Sequence, residues 1–318
     1  MKGERIVLAG GKGFLGNLLT DWFSCRGYEV IILTRHPAVG QKSDVYWDAR
    51  TPGRWKDALK SCRALINLTG RSVNCRYNVT NRREIMESRV ESTRVLGQAL
   101  AECTNPPGVW LNASTATIYR HSMAEPTDES SADFTTTPEA KDAFSIEVAH
   151  AWEQAFERAL APATRKIALR MAMVLDVDEG TVFRVLRNLV LHGLGGRMGS
   201  GRQYISWIHG LDFCRAIEWV IDHEEISGPV NISAPNPMPN ADFMATLRRV
   251  CGRRFGLPAT RWMLELGAFF LRTEIELILK SRRVVPTRLL TSGFQFRFPQ
   301  VQSALEDLCA RLKNNGKP

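Results

Sequence analysis

The chain has 318 residues, 44% hydrophobic and 24% charged, with a formal net charge of +9. That is an ordinary globular mixture, too long for one typical core, so two units or one unit with a large appendage are expected. The seven cysteines are odd in number and form no CxxC pair, which argues against a disulfide framework and against a zinc site.

Met1 to Arg5 lead straight into a short apolar run, Ile6-Val7-Leu8-Ala9, too brief for the apolar region of a signal peptide. No apolar run reaches the roughly 18–20 residues that span a bilayer. A cytoplasmic protein with reduced thiols and no membrane partner is expected. In chain order, apolar runs bounded by turn residues or charges predict strands over 5–9, 29–33, 45–47, 64–68, 109–113 and 166–169. Helical patterns at 14–25, 81–103 and 140–161 lie between them, and such alternation argues for a parallel sheet wrapped by helices. Further on, helices are expected over 181–192, 209–224, 241–251, 261–271 and 300–312, with strands over 203–207 and 230–233.

The first strand runs into Gly10-Gly11-Lys12-Gly13-Phe14-Leu15-Gly16. Gly10, Gly13 and Gly16 form GxxGxxG at a strand-to-helix turn, where glycines bring backbone N–H groups and a helix N-terminus up to a pyrophosphate. The plainer reading is a tight turn without a ligand. The second strand ends in Thr34-Arg35-His36, with no acid to hold ribose hydroxyls. Arg35 suits a 2′-phosphate through planar, multidentate contact, and Lys12 adds a second cation; together they point to NADP(H) rather than NAD. Either could instead be a solvated surface charge. The late basic residues, among them Arg248, Arg249, Lys280, Arg282, Arg283 and Arg288, read as solvated faces that also attract an anionic cofactor or substrate. No aromatic-basic interleaving accompanies them, so no nucleic-acid partner is expected.

With these residues in view, the chain resembles the atypical extended short-chain dehydrogenases of the sugar-nucleotide epimerase-like type, which carry a C-terminal domain of unknown function. The matching segments include Gly10–Gly16, Tyr46-Trp47-Asp48, Leu65–Gly70, Arg76-Tyr77, Glu84–Arg94, Asn112-Ala113-Ser114, Trp152-Glu153, Arg170–Leu175, Gly193–Asp212, Asn231–Pro235, Val284-Val285-Pro286 and Gly293-Phe294. The resemblance implies cofactor contacts at Thr34 and Arg35, at Leu68, Thr69 and Gly70 after the fourth strand, at Glu84 and Arg89 on the long helix, and near Met173. Arg89 either reaches a pyrophosphate or orders the loop after strand four; its plain alternative is an ion pair with Glu84 or Glu91. The sequence departs from the family's usual small residues at Lys12, Thr69, Arg120 and Met171, and the last two could reshape the nicotinamide pocket.

Short-chain dehydrogenases ordinarily move a proton with a Tyr-x-x-x-Lys pair after the fifth strand. None of the tyrosines here is followed four places on by lysine, and the expected positions hold Ser145 and Ala149. The resembling family also generally lacks the pair. Ser114, at the end of strand five, and Tyr119, just beyond it, are the expected substitutes: Ser114 to position a substrate oxygen, Tyr119 to carry the proton. The bland alternatives are a strand-end cap and a packed ring. His209 is a third candidate, read as structural, and Asp128-Glu129 as solvated loop acids.

The expected fold is therefore α/β, a doubly wound parallel Rossmann sheet with a smaller C-terminal substrate-side domain. Residues 1–174 with 209–233 would form the dinucleotide-binding domain, and 175–208 with 234–318 the substrate side. The expected function is NADP(H)-dependent redox or epimerase-like chemistry on a small molecule, a nucleotide sugar being one candidate, in a monomer or homodimer without a metal. The alternative is a cofactor-bound regulator or scaffold with little or no turnover, for which the resembling family's ties to bacterial and plastid division give a precedent.

Overall fold

The computed structural model describes residues 3–265, 274 and 276–315. Its centre is a seven-stranded sheet. The strands are β1 (Arg5–Ala9), β2 (Glu29–Thr34), β3 (Asp44–Tyr46), β4 (Ala64–Asn67), β5 (Val109–Thr115), β6 (Arg165–Met171) and β10 (Gly228–Ile232). Their spatial order is β3-β2-β1-β4-β5-β6-β10, with every pairing parallel. The order reverses between β1 and β4, and that crevice at the carboxyl edge of the sheet is where ligands of such folds bind.

Side-chain alternation along the strands builds a layer on each face. Ile6, Leu8, Ile32, Ile66 and Leu111 pack with helices α1 (Phe14–Ser24) and α5 (Gly210–Asp222). Val7, Leu33, Leu65 and Trp110 pack with α2 (Val79–Ala101) and α3 (Ala143–Arg158). Burial on both faces explains why the strands read as nearly continuous apolar runs.

A separate apolar core gathers Leu175, Phe183, Trp207, Phe243, Leu247 and Leu305. It is framed by β7 (Met173–Leu175), α4 (Val182–Leu191), β8 (Tyr204–Ile205), β9 (Trp207–His209), β11 (Met238–Pro239), α6 (Asn240–Val250) and α9 (Val301–Asn315). The short helices α7 (Glu276–Leu279) and α8 (Thr287–Thr291) lie between α6 and α9. The chain crosses back between the cores: Leu289 and Phe294 pack into the core around α1 and α5. The helix expected over 261–271 is helical at 261–265, and the rest lies outside the described residues. All seven cysteines are free thiols. Among the described residues, no helix is long and apolar enough to cross a membrane, and no group of three or more His, Cys, Asp or Glu is placed to hold a metal.

Candidate functional site

The turn from β1 into α1 makes different demands on its glycines. Gly10 has φ +75°, and a Cβ there would meet Thr69 Oγ1 at 2.8 Å and its Cα at 2.9 Å. A Cβ at Gly16 would sit 2.3 Å from the Gly11 carbonyl oxygen. Chain geometry alone therefore requires both. Gly13 is different: its φ of −89° suits any residue, and a Cβ would have nothing within 4 Å. It starts α1 without a side-chain cap, so no capping side chain claims the first-turn N–H groups. Phe14 and Leu15 are half-buried against the core and hold the helix in place.

At the end of β2, Thr34 is buried and its hydroxyl accepts from the His36 N–H at 3.2 Å. Arg35 is exposed and makes no ion pair among the described residues. Lys12 is already engaged, 2.7 Å from Asp44 Oδ2, whose carboxylate also accepts from the Ala38 N–H at 2.8 Å. Of the two cations expected to select a 2′-phosphate, Arg35 has its charge uncompensated and Lys12 does not.

The loop after β4 rests on a buried polar chain. Asn67 Nδ2 donates to Asn112 Oδ1 at 2.7 Å, and Asn67 Oδ1 accepts from the Thr69 N–H at 3.1 Å. Trp152 Nε1 donates to Thr93 Oγ1, and that hydroxyl donates to the Arg89 carbonyl at 2.8 Å. Leu68 is half-buried against the α1 side of the sheet. Among the described residues the buried Thr69 hydroxyl has no hydrogen-bond partner, and it lies beside Gly10 at the crevice. Arg89 lies behind this loop: its NH1 donates to the carbonyls of Arg71 and Ile85, each at 3.0 Å, under Gly70 and near the Trp152 ring. Glu84 pairs with Arg71 rather than with Arg89. Both residues thus hold the loop in place. Met173 begins β7, its N–H bonded to the Ser206 carbonyl at 3.2 Å, beyond the carboxyl end of β6.

The expected proton-handling pair needs correcting. Tyr119 is 2% exposed, with its phenol donating to Asn231 Oδ1 and accepting from Arg170 NH1, both at 2.9 Å. Burial raises its pKa above 10.0 in spite of Arg170. A phenol enclosed this way has no path to a substrate. Ser114, also 2% exposed, donates to Glu153 Oε1 at 2.5 Å. Glu153 in turn holds Arg170 through bonds of 2.9 and 2.8 Å. Ser114 and Tyr119 therefore belong to a buried ionic brace joining α3, β5, β6 and β10. Strand parity explains the miss: Ser114 points at α3, while the next residue, Thr115, is half-exposed at the strand's carboxyl edge.

Other expectations shift too. Arg120, considered as a cation for Tyr119, pairs loosely with Asp133 at 3.5 Å on the surface. His209 is buried; it caps α5 by accepting from the Leu211 N–H at 3.0 Å, and its Nε2 lies 3.1 Å from Asp307. Trp207 is fully buried in the second core. Glu129 is no solvated loop acid: it is buried and accepts from the N–H groups of Asn231 and Arg288.

What the sequence did not reveal is a strap of chain around residues 276–285. Lys280, 1% exposed, lies 2.8 Å from Asp142 Oδ2 at the start of α3 and donates to the Thr117 carbonyl at 2.6 Å. The Ser281 N–H donates to His121 Nδ1, and Arg282 Nε to Thr117 Oγ1 at 3.0 Å. Ser145 donates to Glu276. Lys280 and Arg282, read from sequence as solvated cations, instead seat the strap on the β5 loop and α3. No periodicity signals contacts more than 130 residues apart in the chain; the hint was the excess of late charge itself.

Residues 6–233 match the NAD dependent epimerase/dehydratase family, and residues 259–308 match a domain of unknown function, DUF1731. The human epimerase family protein SDR39U1 is 31% identical over 309 residues, covering 96% of this chain and 100% of that one. Epimerase family protein YfhF of Bacillus subtilis is 31% identical over 313 residues, covering 97% and 99%. The crystal structure of human SDR39U1 (isoform 2) with NADPH matches with a TM-score of 0.84 at 30% identity, over 96% of this chain and 99% of that chain. A nucleoside-diphosphate sugar epimerase from Corynebacterium glutamicum matches with a TM-score of 0.76 at 27% identity, over 96% and 58%.

Proposed function

The chain belongs to the NAD-dependent epimerase/dehydratase family, and on that premise we propose that it binds NADP(H) across the β1–β4 crevice and uses it on a small-molecule substrate. The observation that carries this reading is Gly13: a glycine that the protein's own packing does not require, at an uncapped helix start. A pyrophosphate there would take the first-turn N–H groups of α1 and the positive end of its dipole. The Thr69 hydroxyl, unpartnered among the described residues, supplies a further polar contact at the crevice. Arg35 would meet the 2′-phosphate, and Lys12 would keep the following loop in register through Asp44. Arg89 and Glu84 support the loop that lines the crevice.

When bound, the nicotinamide gives or takes a hydride. The chain's own residues orient the dinucleotide, and the strap from Glu276 onward shields the substrate side of the cleft. Redox or epimerase-like turnover is the leading reading, with nucleotide sugars the first class to screen. A weakly active or inactive cofactor-bound regulator is the second reading, favoured by the serine and alanine that stand where α3 would carry a tyrosine and lysine. The names of the human and Bacillus subtilis relatives make no mention of cell division. Titration of NADPH into the protein, followed by nicotinamide fluorescence, should saturate at one site per chain; no binding at millimolar NADPH would overturn the reading.

A further inference from the structure

We propose that Cys251 and Cys309 form a redox modification site, where hydrogen peroxide converts two neighbouring thiols into a disulfide that ties α6 to α9. The proposal goes beyond the cofactor reading and does not depend on it.

Two packed helices bring the sulfurs together. On α9, Val301, Ala304, Leu305, Leu308 and Cys309 recur at helical spacing and pack with Phe243, Met244 and Leu247 of α6 in the second core. Cys251 follows the last residue of α6, and its N–H donates to the Leu247 carbonyl at 3.0 Å. Gly252, at φ +68°, then turns the chain away from the helix. The two Sγ atoms lie 3.9 Å apart, across 58 positions of sequence. Bonded sulfurs lie about 2.0 Å apart, so the gap closes with a movement of about 2 Å. Cys309 is buried, but Cys251 keeps part of its surface open and residues 252–255 after it are exposed. The pair thus sits at the rim of the core, where an oxidant barely larger than water meets Cys251 first.

The surroundings favour the reactive form. The Cys251 thiol donating to it holds Cys309 at about 7, below the ordinary thiol value in spite of burial, and Arg187 and Lys313 act in the same direction. The proton that remains is held more tightly, and either sulfur can be the one that keeps it. When it rests on Cys309, Cys251 is the thiolate. Cys62 and Cys214 differ: burial pushes each of these thiols up to about 12, which leaves them protonated and inert. The Cys251 thiolate attacks one peroxide oxygen; an S–O bond forms, the O–O bond breaks, and the departing hydroxide takes the Cys309 proton to become water. The Cys309 thiolate then attacks the Cys251 sulfur. An S–S bond forms, the S–O bond breaks, and the second hydroxide takes up the proton that the pair first released. Two thiols are oxidised to a disulfide and one peroxide is reduced to two waters. The new bond closes a loop that contains the whole span 259–308 matched to DUF1731, and the strap with it. A span tied at both ends has fewer unfolded arrangements, so the oxidised protein resists heat better than the reduced one.

The test takes the full chain, fully reduced, and treats it with stoichiometric hydrogen peroxide. Intact mass, thiol counting after denaturation, peptide mapping and thermal unfolding are read on the same samples. We expect a mass lower by two hydrogen atoms and the loss of two of the seven free thiols. We also expect a linked peptide joining Cys251 to Cys309 and a higher unfolding temperature, all reversed by dithiothreitol. In Cys309→Ser the same treatment should leave a sulfenic acid on Cys251, trapped by a cyclic diketone. Peroxide that oxidises the exposed Cys25 while Cys251 and Cys309 remain thiols overturns the proposal. So does a disulfide that joins any other pair of cysteines, or that joins two chains.

Discussion

Replacing Tyr119 with phenylalanine separates a structural phenol from a catalytic one. The substitution keeps the ring, which packs beside Phe134 at 6.0 Å and under the Arg170 guanidinium at 5.0 Å. It deletes only the hydroxyl, and with it the 2.9 Å bonds to Asn231 and Arg170. Arg170 keeps both bonds to Glu153, so its charge remains paired. Asn231 Oδ1 loses the phenol as its donor. A hydrogen bond involving a charged partner contributes about 1.5–3 kcal/mol net, and the lost neutral bond adds roughly 1 kcal/mol at most once the site relaxes. A loss near 2 kcal/mol is expected, lowering the melting temperature of a chain of 318 residues by about 3 °C. NADPH affinity should stay within about twofold, because nothing places this phenol at the crevice. Thermal unfolding and NADPH titration on the same sample read both quantities. An unchanged melting temperature together with lost NADPH binding or turnover would refute the argument.

The glycine pair gives a sharper contrast: Gly13→Ala should leave the unfolding temperature of the free protein nearly unchanged but weaken NADPH about tenfold or more, whereas Gly16→Ala should destabilise the free protein by several kcal/mol, since its Cβ would strike backbone. If both variants behave alike in unfolding and binding assays, the assignment of Gly13 to the ligand fails. His209 supplies a pH signature. Burial holds its pKa below 6.5 in the folded protein, so the unfolded chain binds the proton more readily. Its contribution to stability is complete above pH 6.5 and is lost as pH falls through the lower folded value. His209→Asn, which can keep the cap on α5, should flatten that part of the stability–pH curve; an unaltered slope would contradict it. With Lys280 and Arg282 committed to the interior, binding to DNA should be weak and vanish between about 50 and 200 mM salt, and submicromolar affinity at physiological salt would contradict that.

The sheet and the glycine turn were legible because each rests on local pattern. Short apolar runs such as Ile6–Ala9 mark strands buried on both faces, and a GxxGxxG just after one of them marks a tight strand-to-helix turn. Arg35 was legible as the residue after a strand. Ser114 was misread because the sequence does not say which face of a strand meets a helix, and a shift of one residue, to Thr115, reverses the answer. Tyr119 lies close in sequence to the cleft, but the 3-10 turn at Ala116–Ile118 carries it back toward Arg170 and Asn231, from strands far along the chain. Glu276, Lys280 and Arg282 reach their partners across 131 to 165 positions, and only the folded chain brings them together.

The central claim is that the crevice holds NADP(H) and that Arg35 chooses it over NAD(H). Calorimetry of NADPH and NADH against the native protein and Arg35→Ala tests it most directly. The account predicts tighter binding of NADPH to the native protein, with the gap shrinking by about 1–3 kcal/mol in the variant, the scale of an exposed charge-assisted phosphate contact. Equal affinities for the two cofactors in the native protein would contradict it.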